Sequence, residues 1–286
     1  MLSLLRMSLY QALCRWSAST EAMGGSVPAA QAIPLKRFGK TTPLVYTCAI
    51  AHRLALQSQH AAAIAAQLVD LLLQASPDDV AVPPGVSVQA TGAGLIHFEV
   101  GDRAIAAWLD QLLVNALPQR TLPSAPLAVS ERQTMLHSAA IFEAQYAHAR
   151  CSSLLRLAHH EGLIRLERLE ESPFYWRFSS PIPFPWLTSA AQLSLHHSAD
   201  RYLLVQLFEA LDRVDDPSQK RTIATLARSA QAVSQAFQTF HRVHPLWDQT
   251  EQKPVLTAQL GLLMATQRVL FLLLADGLHL CPAIEL

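Results

Sequence analysis

The sequence has little lysine and no excess of charge of either sign. Lysine plus arginine and aspartate plus glutamate balance at 22 each. The whole molecule therefore has no net field to concentrate a polyanion, and nucleic-acid binding would need a local basic patch. Most of the basic residues are arginines, whose guanidinium group suits bidentate contacts with phosphate. The lysines are Lys36, Lys40, Lys220 and Lys253.

Cysteine is also scarce, and the usual catalytic strings are missing. No C-x-x-C spacing occurs, so we predict neither a zinc site nor a disulfide framework, and a reducing, cytoplasmic location fits best. No G-x-S-x-G or Walker A string is present, and the histidine pairs at 159–160 and 196–197 lack the spacing of H-E-x-x-H. We therefore expect no metal and no cofactor. The cysteines are Cys14, Cys48, Cys151 and Cys281.

The longest apolar run is too short and too interrupted for a membrane span. It extends from Leu260 to Leu274 and contains Gln267 and Arg268. A spanning helix needs about 20 apolar residues. We therefore predict a buried helix here and no membrane partner.

The first 116 residues combine helical and strand-like patterns. Residues 46–74 are rich in alanine and leucine and predict one helix, or two helices broken near Ser58. Residues 86–100 change toward period 2, which predicts strands, and residues 103–116 predict another helix. A small α+β domain over residues 1–116 follows. The apolar face of its last helix carries Ile105, Trp108, Leu109 and Leu112.

After a proline-bearing linker the pattern is helical to the end. Residues 117–130 have the composition of a linker. Residues 131–286 predict an all-α bundle, so the fold class is mainly α, with a small α+β N-terminal domain joined to a helical bundle. The predicted helices are residues 131–160, 199–214, 219–241 and 255–276.

The helix at 131–160 has two contrasting faces on a helical wheel. One is an apolar stripe of Met135, Ala139, Phe142, Tyr146, Arg150, Ser153 and Leu157. The other is a polar face of Gln145, His148, Ser152, Arg156 and His159. An arginine inside an apolar stripe is costly unless a carboxylate, carbonyl or phosphate satisfies it. Arg150 therefore has either a structural partner or a bound anion.

The string QYAHAR at residues 145–150, continued by CSSLLRLA, resembles the first helix of the DALR anticodon-binding domain of arginyl-tRNA synthetases. Residues 237–241, FQTFH, resemble the family's F-H-x-F-Y, and the closing LLMATQRVLFLLLADGLHLCPAIEL resembles its C-terminus. Three positions depart from the family. Glu143 stands where an aromatic residue is common, His241 replaces a tyrosine, and Leu286 replaces a methionine.

The resemblance implies an RNA-binding surface on this domain. In the family the tyrosine and the arginine of the first helix belong to the surface that supports the anticodon arm. The implied RNA-binding residues are Gln145, Tyr146, His148, Arg150, Arg156, Phe240 and His241.

The first domain resembles the N-terminal tRNA-binding domain of the same family, which touches the D-loop. The family's G-P-G-F-I-N-F strand corresponds to GAGLIHF at residues 92–98. The resemblance implies that Leu95 and His97 face the RNA. The alternative for His97 is an ordinary exposed strand residue.

An aromatic segment at residues 173–186 has no counterpart in the resemblance. Aromatic rings interleaved with arginine are able to stack on unpaired bases or dock a partner. The alternative is a proline-rich loop that folds its rings onto the helical bundle.

The resemblance predicts a protein without catalysis. The HIGH-type and KMSK-type motifs that bind ATP in class I synthetases do not occur, and the linker leaves no room for a nucleotide-binding domain. We expect a non-catalytic arginyl-tRNA synthetase-like protein that binds tRNA, with arginine tRNA as the first choice. The alternatives are a protein-interaction module and an accessory subunit of a separate synthetase. Residues 1–20 resemble the short helix with which the family begins, or else form an organellar transit peptide.

Overall fold

The computed structural model divides the chain into two compact units. The first unit contains Met1–Ile105 and Asp215–Gln219, and the second contains Ala106–Val214 and Lys220–Leu286. The predicted linker at residues 117–130 lies outside the described residues. The structure describes residues 1–19, 27–39, 43–55, 58–74, 80–114, 138–169, 172–216, 222–244 and 253–285.

The first unit packs helices on one face of an antiparallel sheet. The strands are β1 (Leu35–Phe38), β2 (Leu44–Cys48), β3 (Val86–Ala90) and β4 (Ile96–Val100), and their order is β1-β2-β4-β3. The helices of this part of the chain are α1 (Leu2–Ser19), α2 (Ile50–Leu54), α3 (Ser58–Leu73) and α4 (Asp102–Val114), with a short 3-10 turn at Ala30–Ala32. The division between the two units falls within α4.

Alternation along the strands explains which face of the sheet is covered. In β4, Ile96, Phe98 and Val100 are buried, while His97 and Glu99 lie on the opposite face. The turn into β4 depends on Gly94, which has a φ of 78°. A Cβ atom there would lie 2.7 Å from the Cβ of Ala61 on α3. Glycine therefore lets the turn approach the helix closely.

The strand-like pattern at residues 86–100 and the helix with the buried face Ile105, Trp108, Leu109 and Leu112 are confirmed. The predicted helix over 46–74 needs a correction, because its first residues belong to β2, which pairs with both β1 and β4. Valine, tyrosine and threonine at 45–47 fit a half-buried pleated surface, and cross-strand packing decides their conformation. Helix begins at Ile50, and the expected break lies between α2 and α3.

The second unit is built on long helices. These are α5 (Ala139–His160), α6 (Ser198–Asp215), α7 (Ile223–Val243) and α8 (Lys253–Phe271), and α8 continues as a π-helical segment over Leu272–Gly277. The mainly helical class is confirmed. A hairpin of β5 (Arg165–Leu169) and β6 (Ser172–Ser180) follows α5, so the expected all-α bundle also contains two strands. Its buried residues Leu166 and Phe178 face each other across the ladder.

The rings of Phe184 and Trp186 pack into the interior of the fold, as one of the two interpretations of the aromatic segment predicted. The expected loop is wrong for residues 173–180, which belong to strand β6. The Phe184 ring lies 4.4 Å from that of Phe178 and 5.0 Å from that of Trp186, measured between centroids. Trp186 Nε1 donates a hydrogen bond to Asp110 Oδ1 at 2.7 Å. A Cβ atom at Gly261 of α8 would overlap the Trp186 ring, so glycine is required there. The side chains of residues 173–175 lie outside the described residues.

Helix α8 forms the centre of the second unit. Together with the π-helical segment it is long and apolar enough to cross a membrane by length and composition, and 89% of its most apolar window is buried inside the fold. Arg268 is buried within it and donates to the carbonyl oxygens of Leu112 at 2.7 Å and of Trp176 at 3.1 Å. The prediction of a buried helix is confirmed, but the expectation that it is too short for a membrane span is wrong, because the helix extends from Lys253 to Gly277, beyond the apolar run at both ends.

Candidate nucleic-acid interface

Helix α5 carries the QYAHAR string and presents different groups on two sides. Its start is capped by the Ser138 hydroxyl, which accepts from the Ile141 N–H at 3.4 Å. Its end is closed by Gly162, with a φ of 70°, and by a bond from the Leu163 N–H to the Ala158 carbonyl at 3.0 Å. Backbone groups at both ends of the helix thus have hydrogen-bond partners.

The Gln145 side-chain amide forms two hydrogen bonds with the backbone of the C-terminal segment. Its Nε2 donates to the Cys281 carbonyl at 3.0 Å, and its Oε1 accepts from the Ala283 N–H at 2.6 Å. One amide side chain therefore satisfies two backbone groups of a segment that has no regular structure of its own.

His148 is fully buried beside it and also holds the C-terminal segment. Its Nδ1 lies 2.6 Å from the Ala283 carbonyl oxygen, so Nδ1 carries the proton and donates. The other ring nitrogen, Nε2, then accepts from Gln267 Nε2 at 3.0 Å. Burial lowers the pKa of His148, and the hydrogen bond to Ala283 partly offsets this. The ring is therefore a neutral structural group.

Arg156 completes these contacts at the end of the chain. Its Nη1 lies 2.6 Å from Glu285 Oε1, and its Nη2 lies 3.3 Å from the Ile284 carbonyl oxygen. We call Gln145, His148 and Arg156 the C-terminal clamp. The polar face of the helical wheel thus points toward the chain's own C-terminus.

The apolar stripe lies on the solvent side. Phe142 is 65% exposed, Tyr146 45% and Leu157 43%, and Arg150 is exposed between them. We call these four residues the exposed stripe. The helical wheel placed Arg150 in a stripe that we expected to be buried. This expectation is wrong, because Arg150 is exposed. The buried side of α5 packs against α7 and α8 and consists of Ile141, Ala144, Ala147, His148, Ala149, Cys151, Ser152, Leu154, Leu155 and Ala158.

Arg150 meets α7 at His241. Arg150 Nη2 lies 3.4 Å from His241 Nε2, which acts as an acceptor. The His241 ring lies parallel to the Phe237 ring, with 5.8 Å between centroids. Burial and, second, the positive charge of Arg150 lower the pKa of His241. The half-buried imidazole therefore favours its neutral form next to an exposed cation.

The predicted RNA-binding residues fall into three groups. Tyr146, Arg150 and His241 lie together at one surface. Gln145 and Arg156 are engaged in the C-terminal clamp. His148 and Phe240 have no exposed surface, so they cannot contact an RNA in this conformation and are corrected to core residues.

Leu95 and His97 belong to the first unit. Leu95 is half-buried just before β4, and its N–H donates to the Thr91 hydroxyl at 3.1 Å. His97 is the second residue of β4, opposite Thr47 and Gln89, on the face not covered by helices. Both stay predictions.

Sequence reasoning missed Phe142 as a surface residue. It precedes Tyr146 by four residues, so the two rings lie on one side of α5, about 6 Å apart along the axis. The family's aromatic three residues before the tyrosine is Glu143 here, which accepts from Gln235 Nε2 at 3.3 Å. Phe142, one position before Glu143, was the residue from which an exposed aromatic surface could have been predicted.

Helix α5 thus exposes two aromatic rings and an arginine on one side. Residues 144–280, a little under half of the chain, match the family described as the DALR anticodon binding domain. The prediction of a DALR domain is therefore confirmed for residues 144–280, whereas the resemblance to the arginyl family and to its N-terminal domain stays a prediction. Comparison with curated proteins and with solved structures gave no match.

Proposed function

We propose that the protein binds tRNA through its DALR domain and that the exposed stripe of α5 receives the anticodon arm. The observation that carries this proposal is the exposure of Tyr146 and Arg150 on the helix that opens the matched region. The match itself points to an anticodon-binding role of the kind found in synthetase-like proteins.

The exposed stripe offers the two kinds of contact that unpaired RNA needs. Phe142 and Tyr146 present aromatic surfaces to solvent, and stacking of a base on such a ring contributes about 1–3 kcal/mol. Arg150 lies one turn further along and suits a backbone phosphate, because its guanidinium group is exposed. A single-stranded loop with splayed bases fits this alternation.

The finer features of the proposal come from the sequence. We propose arginine tRNA as the preferred ligand, because the QYAHAR string and the C-terminal string both resemble the arginyl family. We propose a non-catalytic protein, since the HIGH-type and KMSK-type strings do not occur, and a cytoplasmic one, since the few cysteines suggest no disulfide framework. A contact of Leu95 and His97 with the D-loop belongs to the same proposal. Service as an accessory subunit to a separate synthetase is an alternative to it.

A protein-interaction module is the second candidate. Phe142 and Leu157 place apolar surface at the two ends of the exposed stripe, and the whole chain carries no net charge. An exposed apolar patch of this kind also suits a protein partner. If this candidate is correct, substitutions in the exposed stripe should weaken the binding of a protein partner, and the protein should bind tRNA only weakly.

The test is a titration of the purified protein with arginine tRNA and an unrelated tRNA at two salt concentrations. We expect submicromolar binding that weakens with salt and favours arginine tRNA. Weak and equal binding of both tRNAs would support the protein-interaction module instead. An aminoacylation assay complements the titration, because turnover by the purified protein alone would contradict the non-catalytic part of the proposal.

A further inference from the structure

We infer that Arg150 and His241 together form an anion site that takes one phosphate group of the bound RNA, and that His241 gains a proton when the phosphate binds. This inference rests on the proposed function and deepens it. It assigns a chemical class of ligand group to one point of the surface and a protonation change to the binding reaction.

The geometry brings two nitrogen atoms together at the edge of the surface. Arg150 Nη2 and His241 Nε2 are 3.4 Å apart and belong to different helices, α5 and α7. Because Nε2 accepts from the guanidinium group, the neutral ring carries its proton on Nδ1. That Nδ1 is buried and has no hydrogen-bond partner among the described residues. The proton on Nδ1 therefore stays with the ring, and Nε2 is the nitrogen free to gain one.

A phosphate changes the charge balance of this pair. Without an anion, a protonated His241 would face the guanidinium group with two like charges 3.4 Å apart. A phosphate oxygen that accepts from Arg150 and from a protonated Nε2 turns this repulsion into two charge-assisted hydrogen bonds. Phosphate binding and proton uptake then favour each other, since linkage is reciprocal. Burial and the Arg150 charge lower the pKa of His241 in the free protein, which leaves room for this uptake.

Other charged groups on the neighbouring elements have different partners or positions. On α5, Glu143 accepts from Gln235, and Arg156 pairs with Glu285. On α8, Arg268 donates to backbone carbonyl groups. Further charged residues on elements that contact α7 and its end include Lys253 of α8, Asp276 of the π-helical segment, and Arg213 and Asp200 of α6, which contact Ser229 and His244. Burial lowers the pKa of His241, and the Arg150 guanidinium group is the charged group that contacts the ring and lowers this pKa further.

The histidine is this chain's own residue at that position. The family string that residues 237–241 resemble has a tyrosine there, and a phenol titrates near pH 10. A tyrosine would donate a hydrogen bond to a phosphate at any pH near neutrality, with no proton uptake. Histidine makes the same contact dependent on pH between about 6 and 8.

The experiment measures the Kd for arginine tRNA at about pH 6, 7 and 8 and constant ionic strength. The proteins are the wild type, His241→Tyr, His241→Asn and Phe142→Ala. We expect the wild-type Kd to decrease on acidification, by at most about tenfold per pH unit for one proton. Both His241 variants should lose this dependence. Phe142→Ala is the matched control, because it should bind more weakly at every pH and keep the wild-type slope.

Each outcome bears on a different claim. A wild-type slope that disappears in both His241 variants supports the phosphate site. Measurable binding with the same slope in the wild type and in both folded variants would overturn the site and leave the proposed function standing. Absence of wild-type binding at every pH would overturn the proposed function and this inference together.

Discussion

Helix α5 has a largely apolar buried side, and two further sides whose surroundings their composition does not predict. The side with glutamine, histidine and arginine faces the chain's own C-terminal segment, whereas the side with phenylalanine, tyrosine and leucine faces solvent. Polar groups can lie inside when backbone groups satisfy them, as Ala283 and Cys281 do here. The comparison teaches that the available partner decides whether a helix face is buried, whatever the polarity of that face. An exposed aromatic stripe is then a candidate binding surface.

Removing His148 should give the largest effect on stability. We expect His148→Ala to lower the free energy of unfolding by about 2–4 kcal/mol, because it leaves a cavity and removes the partner of Gln267 and of the Ala283 carbonyl. Urea unfolding measures this. Tyr146→Ala on the other side of α5 is the control and should change stability by less than about 1 kcal/mol. A loss below about 0.5 kcal/mol for His148→Ala would break the comparison.

Removing Arg150 should affect binding without affecting the fold. We expect Arg150→Ala to weaken tRNA binding by about tenfold and to reduce the slope of log K against log salt by about 0.7–0.9, as for one lost phosphate contact. Arg228→Ala is a matched control, since Arg228 is an exposed arginine on α7 outside the stripe. Unfolding of Arg150→Ala under native conditions would show that the arginine has a structural role instead.

Acidification should lower the free energy of unfolding through His148 of the C-terminal clamp. Burial lowers the pKa of His148 in the folded protein, so the unfolded state binds more protons once the pH falls below about 6.5. The free energy of unfolding should then be constant above that pH and decrease below it, by at most about 1.4 kcal/mol per pH unit for one histidine. His241 contributes in the same direction. Unfolding titrations of the wild type and His148→Gln between about pH 5 and 7 measure this.

The variant should be less stable at neutral pH and should show a smaller decrease on acidification. An identical pH dependence in the two proteins would mean that His148 is not the titrating group.

Removing Arg156 from the C-terminal clamp should give the smallest effect on stability. Arg156 and Glu285 are partly exposed, so Arg156→Ala should cost about 0–1 kcal/mol of stability. It should accelerate hydrogen exchange at the C-terminal amides, of which the Ala283 N–H is held by Gln145. We expect tRNA affinity to change by less than about threefold, or about 0.6 kcal/mol. A loss of tRNA affinity as large as that of Arg150→Ala would indicate that Arg156 contacts the RNA.

Much of the second unit could be predicted from the sequence. The helices expected at 199–214, 219–241 and 255–276 are found close to those bounds, because their apolar period is strong. The first unit was harder, since β1 and β2 are short strands whose conformation depends on pairing with distant residues. The hairpin of β5 and β6 was missed because residues 165–169 show no apolar pattern of their own, and residues 173–186 were interpreted only by their aromatic rings and prolines.

The sequence predicted which helix carries the candidate site, but it did not predict which side of that helix is exposed. The motif brought attention to the correct helix, and Tyr146 and Arg150 do lie at its surface. A wheel of one helix cannot show which side its neighbours cover, so the apolar stripe looked like the buried side. The contacts of Gln145, His148 and Arg156 with residues 281–285 are long-range and carry no local pattern.

The central claim is that the exposed stripe of α5 binds tRNA. The most direct measurement is the affinity of a Phe142→Ala, Tyr146→Ala double variant for arginine tRNA, with its unfolding measured in parallel. The account predicts a folded protein whose affinity falls at least about tenfold, because two stacking surfaces are lost. A folded double variant that binds the tRNA as tightly as the wild type would contradict it.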